Sequence, residues 1–159
     1  MTTDVSTTAP VDRVDHTELA TRTVVLTIVG AVAILVSGWV HFYLYFRGGY
    51  RGIAPDEIAG LTISRSFALN AMAAVVIAEA LILGLRYRAL LLPAAVLGAS
   101  FAVATLVAYF LSRTRGVLGF KETATTTEAV VAMVAEAATL VTLVRVVLTE
   151  LRARRHPAR

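Results

Sequence analysis

Three side chains able to exchange protons or hydrogen bonds with a ligand, His41, Asn70 and Glu136, lie inside long apolar runs of this 159-residue chain. A carboxylate near an imidazole can pass protons, grip a quinone carbonyl or hold a cation. Tyr45 and Tyr109 stand where they could join the same cluster, whereas Glu79 and Arg145 lie at another level of their runs. Charged groups in such runs cost about 2.5 to 3.5 kcal/mol each when the run is a membrane helix, so each is expected to face the bundle and to have a partner.

The elements that must position these residues are four apolar stretches, at 23–46, 66–85, 89–112 and 129–148. Each reaches the roughly 20 residues that a helix needs to cross ~30 Å of hydrocarbon. With 57% hydrophobic residues and a mean hydropathy of +0.74, the chain reads as all-α, a transmembrane four-helix bundle. One membrane domain, 23–151, is expected between a polar tail, 1–22, and a basic tail, 152–159. Asp4, Asp12, Asp15 and Glu18 precede the first run, unlike the basic start of a cleaved signal, so that run is expected to remain as a true span. Residues up to about Asp12 read as disordered, and Asp15 with Glu18 has the spacing of a capping box that would start the helix near His16.

Depth follows from 1.5 Å of rise per residue. His41 comes six residues before Arg47, Asn70 six residues into the second helix, and Glu136 eight after Glu128, which places all three in one outer layer. Ala33, Ser37, His41 and Tyr45 make a small and polar stripe on the first helix, and Tyr109 and Thr105 reach the same depth on the third. Asn70 to Glu79 and Glu136 to Arg145 are both nine residues apart, a spacing that turns each pair to opposite faces of its helix. Glu79 and Arg145 are therefore expected to leave the outer cluster and pair with each other. That pairing would form where the second and fourth helices approach, or across a homodimer interface.

The loops carry their own signals. Gly48 and Gly49 suit a left-handed cap after the first helix, Pro55, Asp56 and Glu57 look like the start of a short surface helix, and Ser64 reads as the opening of the second span. Thr125 with Glu128 forms a second capping box before the fourth helix, and Arg86 to Arg88 leaves room only for a tight hairpin. Sliding the chain by 66 residues superimposes Arg22 on Arg88, Tyr43 on Tyr109, Asn70 on Glu136 and Glu79 on Arg145. Such a match suggests two duplicated helical hairpins in parallel orientation.

Orientation follows from the basic residues. Nine fall on the side of the termini and six on the other, which predicts cytoplasmic termini in an inner, or plasma, membrane. The RARRHPAR tail then reads as an anchor against acidic lipid and not as a nucleic-acid patch. With no cysteine there is no thiolate site or c-type haem attachment, and one histidine within a span is too few for a metal or a two-imidazole haem, so no cofactor is expected. The absence of a nucleophile constellation or phosphate loop points away from catalysis.

The stretches HFYLYFRGGYRGI, FALNAMAAVV, LSRTRGVLGFKE and VAEAATLV resemble a group of short, uncharacterised four-helix membrane proteins common in actinobacteria. The resemblance implies class and topology and brings no mechanism. Three functions compete: a non-enzymatic bundle working as a homodimer or in a larger membrane complex, a proton-coupled or small-solute transporter acting as a dimer, and a quinone-binding or redox accessory subunit. Against all three stands a packing role, since interhelical hydrogen bonds and small residues such as Ala94, Gly98 and Ala102 also hold membrane bundles together.

Overall fold

A computed structural model describes residues 16–52 and 60–155. The proposed disordered start, the Asp15 cap and the surface helix at Pro55 lie outside the described residues. Four helices make the fold: α1 His16–Phe46, α2 Ile63–Arg86, α3 Arg88–Thr114 and α4 Thr127–Arg155. All four are long and apolar enough to cross a membrane, with mean hydropathies of 2.0 to 2.3 over their best windows. This is a multi-pass membrane protein with an all-α, four-helix bundle.

Each helix packs on its two neighbours in chain order, and α4 closes the square against α1. Opposite corners are held by α1 and α3, whose backbones barely approach, and by α2 and α4, whose backbones stay apart while their inward side chains share the core. The start of α1, the end of α4 and the α2–α3 turn lie at one end of the bundle, and the end of α1, the start of α2 and the α3–α4 loop lie at the other.

Lipid offers no hydrophobic force between helices, so close approach must come from small residues. A methyl group placed on Gly38 would fall 2.5 Å from the Ala74 Cβ, and one on Gly84 would fall 2.8 Å from the Leu91 Cα. On Gly98 it would meet Leu143 at 2.5 Å and Ile77 at 3.2 Å, which puts those three residues at one level of the bundle. The tight core, including Ile34, Leu81, Leu91 and Val146, fills the middle and the termini end. Outward positions are apolar too, with Trp39 and Met72 each 66% exposed, as a lipid-facing surface requires.

Ends differ in detail from the sequence reading. Thr62, not Ser64, caps α2, its side chain accepting from the Arg65 N–H at 3.2 Å. Thr126, not Thr125, stands at the start of α4 and accepts from the Ala129 N–H at 3.2 Å. Tyr87 alone joins α2 to α3. Gly49 has φ +81°, the left-handed conformation its place after α1 demands.

Candidate functional site

The loop end of the bundle is not filled. A cavity of about 140 Å3 lies between the helices there, and His41, Asn70, Tyr109 and Glu136 all line it. Each of the four helices thus contributes one of the sequence candidates. Tyr45 does not line the cavity, being turned edge-on to Phe46 with ring centres 4.8 Å apart.

Glu136 is 3% exposed, and Ser37 holds it: the Ser37 hydroxyl donates to Glu136 Oε1 at 2.9 Å, linking α1 to α4. One turn along α1, His41 Nδ1 lies 2.9 Å from the Ser37 carbonyl. A carbonyl only accepts, so that nitrogen carries a proton and the neutral ring keeps its lone pair on Nε2. His41 also leans on Phe67, with ring centres 5.2 Å apart.

Aromatic rings and one ion-dipole bond make the roof. Tyr50, in the short 3-10 turn Tyr50–Gly52, stacks on Phe67 at 4.3 Å and meets Phe120 edge-on at 5.4 Å. Its hydroxyl donates to Glu122 Oε2 at 2.8 Å, which ties the first loop to the third. Burial, the bond to Glu122 and the charge of that carboxylate together raise the Tyr50 hydroxyl above the ordinary tyrosine range. Phe120 is set by a two-residue hairpin in which Val117 and Phe120 exchange backbone bonds of 2.8 and 2.9 Å. Leu118 (φ 50°) and Gly119 (φ 70°) supply the paired positive dihedrals of such a turn.

Three lining groups have no partner within the described chain: His41 Nε2, the Asn70 amide and the Tyr109 hydroxyl make no hydrogen bond. None is sealed in, because the only fully buried and unpaired side-chain nitrogen or oxygen among the described residues is Arg113 Nη1. They face space. No three His, Cys, Asp or Glu side chains among the described residues gather as a metal site would need.

The expected Glu79–Arg145 pair is not formed within the chain. Their helices occupy opposite corners with their backbones apart, and both side chains are exposed on the outside of the bundle. Two residues at one level of a square bundle can sit on a diagonal, and α2 and α4 do. At the termini end Arg88 pairs with Glu150, 2.6 Å apart, with side-chain exposures of 58% and 7%.

Sequence reasoning left Ser37, Tyr50, Phe67, Phe120 and Glu122 out of the site. Ser37 did carry a signal, standing four residues before His41 on one stripe. The roof carried none, since its members come together only through two folded loops. No family model, curated protein or solved structure matches this chain. The cavity therefore has to be understood from its own chemistry.

Proposed function

We propose that this protein works by binding rather than catalysis, holding a small ring-sized molecule with hydrogen-bonding groups at its edge in the loop-end cavity. The observation that carries the reading is the set of unpartnered polar groups, His41 Nε2, the Asn70 amide and the Tyr109 hydroxyl, around one space at membrane depth. Polar groups there need partners, and the chain does not supply them. A cavity of about 150 Å3 holds one benzene molecule, so about 140 Å3 suits a single ring. The Glu136 carboxylate accepts from a ligand hydroxyl or amine, Asn70 and Tyr109 can donate or accept, and Phe67 and Phe120 cover the ring face. The head of a quinol has this character. With the termini cytoplasmic, as the nine-to-six balance of basic residues favours, the roof lies outside the plasma membrane. The likeness to short actinobacterial four-helix proteins fits this class of small membrane component.

The test separates binding from packing on the same variants. A glutamine at 136 still offers a carbonyl to the Ser37 hydroxyl, so Glu136→Gln should keep the thermal stability of the protein in detergent. Ser37→Ala leaves a buried carboxylate oxygen unpaired and should cost about 1 to 3 kcal/mol. Native mass spectrometry of protein extracted in its own lipids should show one small molecule per chain in the wild type and Ser37→Ala. The same molecule should be absent from Glu136→Gln and His41→Phe. Finding only water-filled protein in every sample would overturn the reading.

A further inference from the structure

Glu79 and Arg145 stand out because each is a lone charge at the centre of an apolar, outward face. Around Glu79 on α2 are Met72, Val76 and Leu83, 66%, 61% and 50% exposed; around Arg145 on α4 are Val141 and Leu148, 56% and 47% exposed. Gly98 fixes Ile77 and Leu143 at one level, and each charge lies two residues beyond its helix's member of that layer, toward the termini end. The two charges therefore share one depth. Counted along α3 from Arg88, that depth is about 12 Å inside the helix end, well within the hydrocarbon.

Neither charge has an outlet in a single copy. Both helices run from the loop end to the termini end, and helical side chains lean toward their N-terminus, which aims Glu79 and Arg145 away from the nearer membrane surface. Arg86, the basic residue seven positions after Glu79, lies over the Tyr87 ring, with its guanidinium carbon 5.5 Å from the centroid. No ion pair involves Glu79 or Arg145 among the described residues. A membrane-embedded charge faces a partner, and within the chain their corners never meet.

We propose that Glu79 of one copy pairs with Arg145 of the next, joining chains head to tail in the membrane plane through the outward faces of α2 and α4. The contact is heterologous. A twofold dimer uses one patch twice, and no single patch holds two diagonal corners, so the association continues beyond two copies as a ring or a row. Lipid covering is the alternative occupant, and it leaves both charges without a counter-ion.

The chain has no cysteine, so introduced thiols report the contact cleanly. Val76→Cys and Val141→Cys, each alone, are co-expressed in one membrane and oxidised. Cross-links should form between the two different variants and not within either one, and a chain carrying both changes should give a ladder of dimers, trimers and longer species. Adding Glu79→Arg should lower the cross-linked fraction at least tenfold, and adding Arg145→Glu as well should restore it, which also shows that the reversed chain folds. Cross-links within a single variant, no cross-links at all, or a yield indifferent to the charges would each overturn the proposal.

Discussion

Tyr50 is where one hydroxyl governs how firmly the cavity is covered. In the unfolded chain a tyrosine titrates near pH 10, and in the folded protein burial and Glu122 move it higher. A group whose folded value is raised contributes its full stability below the unfolded value and loses it as pH climbs toward the folded one. The roof should therefore hold up to about pH 10 and weaken above it. Tyr50→Phe should cost about 1 kcal/mol at neutral pH, the modest figure reflecting a half-buried pair, and should flatten the alkaline decline. Melting curves of both proteins between pH 8 and 11 check this, and parallel declines would acquit the Tyr50–Glu122 bond. His41, Asn70 and Glu136 could be singled out from sequence because polar groups inside spans are rare and costly. Ser37 escaped the candidate set because serine is cheap in a membrane helix, where it can bond its own backbone. Tyr50 escaped because its partner is 72 residues away, in a loop whose path no periodicity records.

At the scale of elements, the α2–α3 hairpin is the tightest joint in the molecule. With Tyr87 as its whole connector, the helices are forced together at once, and Gly84 is the residue that lets them pass. Gly84→Ala would set a methyl 2.8 Å from the Leu91 Cα and 3.1 Å from its nitrogen, backbone atoms that cannot swing aside. The cost should be about 1 to 3 kcal/mol in detergent melts. Gly98→Ala meets the flexible tip of Leu143 and should cost less; the reverse order would show that the joint is looser than its geometry. Helix existence and order were legible because runs of about 20 apolar residues have one physical explanation. Helix starts were not, since Thr125, Thr126 and Thr127 offer three adjacent caps and only the folded loop selects among them.

For the whole molecule, orientation is a single binary outcome. A reporter active only in the cytoplasm should score positive when fused after Arg159 and negative when inserted at Gly119; the opposite pattern would reverse the assignment. Which helices sit side by side was the least legible property. Depth along an axis can be counted from residue numbers, but position around the axis is set by how loops turn, and Glu79 with Arg145 shows the consequence. The bundle offers them equal depth and opposite corners.

The Ser37–Glu136 bond also carries a statement about timing. It joins residues 99 positions apart, and it seals α4 against α1, the first helix made. At roughly 5 to 20 residues added per second, Ser37 waits on the order of 5 to 20 s in the membrane before its acceptor has been synthesised. During that interval α2 and α3 are made in turn, and until α4 enters, the bundle has an open side and the cavity lacks Glu136. The emerging chain is thus recognisable as immature by any membrane chaperone or protease that senses exposed polar groups in lipid. If the cavity binds a ring-sized molecule as proposed, capture should begin only after the last helix has entered.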